Sequence, residues 1–234
     1  MVWLFWGFLI LIVFGVFISI RTNKLTTGGA VSGGVIATII LYGTGAMNVV
    51  LLAVYFILAT VATTWKNKKK KPFKPQSTRR DAWQVIANGG LAGLFGLAAV
   101  LFPQHLSLLI LLMAASLSSA IADTLSSELG TLYGKKFVNI LTWKKDKKGL
   151  DGVISLEGTL FGLAGSLILA ILYSWVSGWT LYSTIIVIAG TAGNLMDSVL
   201  GAALERKGFI GNNLVNFLNT LTAALFAFLL LQAL

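Results

Sequence analysis

The chain has 234 residues, of which 56% are hydrophobic and only 11% are charged. Soluble domains carry about 25% charged residues, so this composition excludes a soluble globular protein and indicates a polytopic membrane protein. The formal net charge is +10, from 18 basic and 8 acidic side chains. The absence of cysteine excludes disulfides, Cys-ligated metal centres and thiol catalysis, and the single histidine excludes multi-histidine metal sites.

Three long stretches without charged residues predict most of the membrane-spanning helices. They cover residues 25–65, 82–122 and 158–196. Each is twice the length of about 20 residues that one spanning helix needs, so each predicts two helices joined by a tight turn. The turn residues lie near the middle of each stretch, at 43–45, 102–104 and 174–178. Single spans at about 2–20 and 214–234 complete an all-α membrane protein of about eight transmembrane helices in one domain, residues 1–234.

The charged residues lie between these hairpins, in the segments 21–24, 66–81, 123–157 and 205–207, with Asp197 just ahead of the last. Because a hairpin returns to the side that it left, all four segments face one side of the membrane. Basic residues are retained in the cytoplasm, which predicts basic cytoplasmic loops at 66–81 and 131–154 and both termini outside. The net charge thus indicates membrane topology rather than binding of nucleic acid.

The first span lacks a basic segment ahead of it and a small-residue cleavage site, which predicts a retained helix rather than a signal peptide. Because no transit peptide is recognisable either, we expect a multi-pass protein of a prokaryotic plasma membrane.

Glycine-rich segments at 28–34, 89–96 and 158–165 begin the three hairpins. Two of the returning helices also carry a carboxylate beside a hydroxyl, at Asp123-Thr124 and Asp197-Ser198. These similarities predict three tandem helical-hairpin repeats in parallel orientation around a shared cytoplasmic cleft. Glycines that only let helices pack closely in lipid are the alternative.

Two carboxylates stand at the membrane boundary. Asp123 follows a long uncharged stretch, and Asp197 follows Asn194 at a spacing that places both on one helix face. A carboxylate at that depth is costly and needs a partner or a function. Glu128 lies five residues after Asp123, which is off its face unless the helix loosens. The alternatives are a frayed helix end at Asp123 and interhelical hydrogen bonding at Asp197.

Amides and further acids accumulate at the same side. Gln84 and Asn88 are spaced i, i+4 on the fourth span, and Glu157 opens the sixth span after Ser155, where simple capping is the alternative. Five asparagines lie near this face, more than helix packing requires: Asn88, Asn194, Asn212, Asn216 and Asn219.

Basic residues surround this set. Six lysines in 66–74 attract anionic lipid or fix the topology. Arg80 directly precedes the fourth span, where an arginine can bind phosphate bidentately. Lysines that include Lys144 and Lys145 flank the longest loop, where solvation and phosphate binding are equally open.

Carboxylates and amides are hard oxygen ligands suited to Mg²⁺, and basic groups and helix N-termini suit phosphates. Phosphoryl transfer needs mainly positioning and charge neutralisation by such groups. No Walker-type Gly-x-x-x-x-Gly-Lys-Ser/Thr is present, which excludes a P-loop.

Five segments, at 80–90, 122–130, 152–159, 197–202 and 212–216, resemble a widespread family of integral membrane proteins that includes the plant phytyl-phosphate kinase of tocopherol synthesis. The resemblance implies a multi-spanning isoprenyl-phosphate kinase that uses CTP, makes a diphosphate and is related to phytol and dolichol kinases. One departure is Glu205, where the family pattern leads us to expect glutamine. The site residues that the resemblance implies are Arg80, Gln84, Asn88, Asp123, Glu128, Glu157, Asp197, Asn212 and Asn216.

The leading hypothesis is therefore a membrane kinase that transfers a phosphoryl group from a nucleotide, CTP by the resemblance, to a phytyl- or geranylgeranyl-type monophosphate among the membrane lipids. Asp123, Glu128 and Asp197 would hold Mg²⁺. The phosphate-binding and orienting residues would be Arg80, Lys144, Lys145, Gln84, Asn88, Glu157, Asn194, Ser198, Asn212 and Asn216. The alternatives are a transporter or flippase of a lipid phosphate or small anion, and a structural or assembly protein.

Overall fold

The computed structural model describes residues 2–70, 72–73 and 79–233, so Lys71 and residues 74–78 of the predicted loop 66–81 lie outside the described residues. Within the described part, eight helices are long and apolar enough to cross a membrane, which confirms the predicted count. These helices are α1 Val2–Arg21, α2 Thr27–Thr44, α3 Ala46–Thr64, α5 Ala82–Leu101, α6 Leu106–Tyr133, α7 Leu156–Ser177, α8 Leu181–Leu200 and α9 Asn212–Gln232, with a short α4 at Asn67–Lys70.

Two of the hairpin turns lie where the sequence predicts them, and the third lies at the end of its predicted range because α7 continues to Ser177. Gly45, with φ at 89°, separates α2 from α3, and a 3-10 turn at Pro103–His105 separates α5 from α6. The α7–α8 turn contains Gly178 with φ at 71°. Because L side chains rarely adopt a positive φ, glycine at these two positions lets the chain reverse within a few residues.

Helix α6 is the centre of the bundle. It packs against α3, α5, α7, α8 and α9. Of its most apolar 18-residue stretch 61% is buried inside the bundle, whereas the value for α1 is 6%. Alanine and serine dominate its buried face, which lets neighbouring helices approach closely. The helix continues to Tyr133, so Asp123 and Glu128 are helical residues rather than members of a loop.

The glycines of the predicted repeats lie in helix–helix contacts. A side chain added at Gly93 of α5 would meet Ile36 of α2 at 3.4 Å, and one at Gly158 of α7 would meet the Ser126 carbonyl of α6 at 2.9 Å. Small residues at these points therefore set the helix spacing, as the packing alternative requires. The tandem-repeat arrangement stays a prediction.

The charged segments meet at one end of the bundle, named here the charged face. Leu25 forms a β-bridge with Arg80, and Lys70 forms an ion pair with Glu128. The indole of Trp65 donates to the Tyr133 hydroxyl at 2.8 Å. Segments far apart in the chain thus converge on a single surface, as the hairpin count predicts.

Residues 134–155 form a folded connection, named here the hairpin loop. Two short antiparallel strands, β1 Val138–Asn139 and β2 Val153–Ile154, pair within it. The predicted loop 131–154 therefore starts too early, because the intrahelical hydrogen bonding of α6 continues past Thr131. Helix α8 is similarly extended by a π-helical turn, Gly201–Glu205, which packs against the loop at Gly152.

Candidate functional site

A cavity opens at the charged face between α6, α7, α8, α9 and the hairpin loop. Its walls carry four carboxylates (Asp123, Asp151, Asp197 and Glu205), several hydroxyls and two amides, and the loop backbone forms one side. The lining includes Asp123, Ser126, Ser127 and Thr131 of α6, Thr159 of α7, Asp197, Ser198 and Glu205 of the α8 region, and Asn212 and Asn216 of α9. The cavity thus brings together five of the residues that the sequence singles out: Asp123, Asp197, Ser198, Asn212 and Asn216.

The carboxyl groups of Asp123 and Asp197 face each other across the cavity, within hydrogen-bonding range. The side chain of Asn219 donates from Nδ2 to Asp197 Oδ1 at 3.2 Å. Asn219 is itself fully buried and accepts a hydrogen bond from Ser119. This chain of hydrogen bonds fixes the orientation of Asp197 from within the bundle.

The donor set fits a divalent cation that retains other ligands. Among the described residues no group of three or more His, Cys, Asp or Glu side chains could hold a metal, and of the four carboxylates that line the cavity Asp123 and Asp197 are the pair within hydrogen-bonding range of each other. Mg²⁺ is commonly bound through one or two carboxylates and completes its shell with water and substrate phosphate. Ser198 and Asn216 line the same cavity, and their side-chain oxygens would add neutral ligands.

The hairpin loop and the first turn of α7 provide an anion-binding wall. Gly149 and Gly152 have φ of 84° and 72°, and a side chain at Gly152 would collide with Ala202 in the π-helical turn. Ser155 caps α7 by accepting from the Gly158 N–H at 3.1 Å. Backbone N–H groups at the start of a long helix attract phosphate, and this helix start lines the cavity.

Side-chain contacts with Arg206 and with the basic loop also hold the hairpin loop in place. Arg206 donates to Asp146 at 2.5 and 3.4 Å, and the pKa of Asp146 is lowered to about 2, first by this bond and then by the Lys147 backbone N–H. The same pair raises the pKa of Arg206. The ammonium of Lys148 lies 4.6 Å from the centre of the Phe73 ring and 5.7 Å from that of Phe137, which links the two charged loops.

Glu128 is placed away from the cavity, so the predicted trio with Asp123 and Asp197 is not formed. Five residues turn an α-helix by 500°, which directs Glu128 to another side of α6 than Asp123. There it pairs with the buried Lys70, whose Nζ also donates to the carbonyls of Ala62 at 2.7 Å and Thr63 at 2.8 Å. The basic loop is thereby fastened to α6.

The three predicted residues around the start of α5 also lie outside the cavity lining. Gln84 completes a capping box with Asp81, and the buried Asn88 donates to the Gln84 carbonyl of its own helix at 2.9 Å. Arg80 extends into the bundle and donates to Tyr55 and Thr63 of α3.

The remaining predicted residues have scaffold contacts. Asn194 is buried and accepts from Ser126 at 3.1 Å, which is the interhelical hydrogen bond foreseen as the alternative for this region. Glu157 accepts from the Lys135 backbone N–H at 3.2 Å. Lys144 and Lys145 are exposed in the hairpin loop, and none of these four residues lines the cavity.

Sequence reasoning missed several cavity residues. Thr131 continues the face of Ser127 one turn later, so a helix extended past residue 130 would have revealed it. Thr159 has no comparable signal. The contribution of residues 149–155 depends on how the hairpin loop docks, which local sequence patterns do not encode.

Comparisons with known proteins agree with this architecture. The family model described as integral membrane protein DUF92 matches residues 10–224. An uncharacterized membrane protein of Methanocaldococcus jannaschii is 34% identical over 97% of this chain and 94% of its own. Protein VTE6, chloroplastic, of Arabidopsis thaliana is 32% identical over 89% of this chain and 67% of its own. An uncharacterized membrane protein of Synechocystis is 31% identical over 87% of this chain and 81% of its own. No solved structure gives a significant match. The chain belongs to the DUF92 family of integral membrane proteins, as its motifs indicate.

Proposed function

We propose that this protein is a membrane-embedded phosphotransferase that converts an isoprenyl monophosphate into the diphosphate, with a nucleoside triphosphate as donor. The carboxylate pair Asp123 and Asp197, inside a polar cavity at the charged face, is the observation that carries the proposal. Membership of a family that includes plant phytyl-phosphate kinase supports this reaction class. We propose CTP as the donor and a phytyl- or geranylgeranyl-type monophosphate as the acceptor.

The cavity contains the groups that phosphoryl transfer requires. Asp123 and Asp197 would hold Mg²⁺, which neutralises phosphate charge when bound. The start of α7 and the backbone of the hairpin loop would bind the donor phosphates, while Asn212 and Asn216 orient them. An oxygen of the acceptor phosphate forms a bond to the γ-phosphorus, and the bond from that phosphorus to the β-phosphate oxygen breaks. No general base is needed, because the acceptor phosphate is already ionised.

Lysines on the charged face, outside the cavity lining, favour anionic substrates. Exposed lysines of the hairpin loop, including Lys144, Lys145 and Lys147, lie on the same face as the cavity. Such a field concentrates nucleotides and lipid phosphates near the site. Transporters usually bind substrate near the membrane midplane, whereas the cavity here lies at one end of the bundle, and this location supports an interfacial enzyme.

The direct test is an assay of the purified protein in nanodiscs with Mg²⁺, either CTP or ATP, and phytyl or geranylgeranyl monophosphate. We expect formation of the diphosphate, and loss of activity by at least about a hundredfold in Asp123→Asn and Asp197→Asn. Asp81→Asn is the matched control, because asparagine caps a helix as well as aspartate does and Asp81 lies outside the cavity.

Two results would contradict the proposal. Failure to phosphorylate these acceptors and longer polyprenyl phosphates, in protein that remains folded, would exclude the kinase reaction. Flux of a lipid phosphate or anion across proteoliposomes in the absence of nucleotide would favour the transporter instead.

A further inference from the structure

Arg80 is held by its backbone before the start of α5. Its N–H donates to the Lys24 carbonyl at 3.0 Å, and its own carbonyl accepts from the Thr26 N–H at 3.0 Å. A side chain at Gly29 would lie 2.7 Å from that carbonyl, so only glycine permits this approach without a shift. The position of Arg80 is therefore fixed by the scaffold, as a preorganised binding group requires.

The side chain of Arg80 points into the bundle. It donates from Nη1 to the Tyr55 hydroxyl at 3.2 Å and from Nη2 to Thr63 Oγ1 at 3.5 Å. Tyr55 is only 5% exposed and lies eight residues deeper on α3 than Thr63, about 12 Å along the helix axis. The guanidinium thus lies below the charged face, where an arginine is costly and marks a functional site.

The known partners of this guanidinium are neutral. The two ion pairs formed within the described residues, Lys70–Glu128 and Arg206–Asp146, do not include Arg80. An arginine has five N–H donors, and the hydroxyls of Tyr55 and Thr63 supply no negative charge. A tetrahedral anion matches this fork of donors better than hydroxyl groups do.

The Arg80 cluster is adjacent to the cavity but separate from it. Arg80, Tyr55 and Thr63 are not part of the cavity lining, yet the Asp123 carboxylate acts electrostatically on Tyr55. Helix α6, which carries Asp123, packs against α3 and α5 as well as against α7, α8 and α9. Asp123 thus lines the cavity and is also close enough to Tyr55 to act on it.

We propose that Arg80, Tyr55 and Thr63 form a second phosphate-binding site, which takes the phosphate monoester of the acceptor while the cavity takes the nucleotide. The role as acceptor site rests on the proposed function, whereas the binding of a phosphate monoester does not. Ile57 and Val61 of α3 and Ile86 of α5 are exposed apolar side chains of the same helices, so a hydrocarbon tail has a lipid-facing surface beside them. A free phosphate has the same headgroup chemistry without the tail.

The test measures binding rather than turnover, in nanodiscs, with three separate probes: geranylgeranyl monophosphate, inorganic phosphate, and CTP with Mg²⁺. We expect Arg80→Gln to weaken binding of the lipid phosphate by at least about tenfold while CTP affinity changes by less than about twofold. Tyr55→Phe should weaken binding of the same lipid phosphate by a few fold. Arg80→Lys, which preserves the charge but not the planar fork, should give an intermediate loss and guards against a folding defect.

Arg21→Gln is the matched control, because it removes an exposed arginine of the same face at the end of α1 and should change no affinity. Unchanged binding of the lipid phosphate in folded Arg80→Gln, or an equal loss of CTP affinity, would overturn the second site. Arg80-dependent binding of inorganic phosphate as tight as that of the lipid phosphate would support the anion site and overturn its assignment to a lipid. Arg80-dependent binding of the lipid phosphate without any kinase activity would support this site while the proposed function fails.

Discussion

At the scale of single residues, the polar side chains of the charged face divide into those that line the cavity and those that bond within the scaffold. Asp197 belongs to the first group, and Asn219 and Ser119 orient it from the second. Lys70 and Glu128 form the clearest scaffold pair, with side chains that are 2% and 17% exposed. A buried pair of this kind stabilises a fold chiefly by avoiding an uncompensated charge.

We therefore predict that Glu128→Gln lowers the free energy of unfolding by about 3 kcal/mol, because it leaves the Lys70 ammonium buried without its counter-ion. The double variant Lys70→Met/Glu128→Leu should recover most of this loss, since both charges are then absent. Thermal unfolding in detergent measures both effects, with the exposed Lys68→Met as control. If Glu128→Gln instead abolishes activity in protein that stays folded, Glu128 has the metal-binding role that the sequence predicts.

At the scale of elements, the hairpin loop decides the shape of the cavity. Strands β1 and β2 flank the segment that contains Gly149 and Gly152, which forms one wall of the cavity, and Gly152 lies against Ala202 of the π-helical turn. The loop is held from outside this wall by Arg206 on Asp146 and by Lys148 between Phe73 and Phe137. Docking of the loop is thus a tertiary event that depends on a few exposed contacts.

We predict that this docking weakens at low pH. The folded-state pKa of Asp146 is about 2, below the ordinary value of 3.8. The ion pair therefore stabilises the docked loop fully above the ordinary pKa, and this stabilisation is lost as the pH falls through about 2. Pepsin should therefore cut residues 134–155 increasingly between about pH 4 and pH 2. The Asp146→Asn variant lacks the ion pair at every pH, so pepsin should cut its hairpin loop across the whole range from about pH 4 to about pH 2. Equal cleavage of the wild type and this variant at the upper end of the range would show that the pair does not hold the loop.

At the scale of the whole molecule, the pattern of uncharged stretches predicts the helix count and the hairpin turns, because the bilayer leaves few alternatives to a spanning helix. Asp123 and Asp197 stand out because their neighbours are apolar. Lys70 cannot be identified in the same way, since a lysine among lysines has the pattern of a solvated loop and its burial arises from Glu128, 58 residues away in the chain. The same limit applies to Tyr55, a single aromatic in an apolar helix, and to the docking of the hairpin loop. Local patterns therefore indicate spans and isolated charges, whereas pairing across the bundle decides which of them meet.

The orientation of the bundle is the prediction that links topology to function, since nucleotides are available in the cytoplasm. The excess of basic residues at the charged face predicts that this face is cytoplasmic. The chain contains no cysteine, so single substitutions at exposed positions report accessibility without background. In intact cells, a membrane-impermeant maleimide should label Gln104→Cys, in the α5–α6 turn, and should label Lys207→Cys, at the charged face, only after lysis. The reverse pattern would place the cavity outside the cell, away from its nucleotide, and would contradict both the orientation and the kinase reaction.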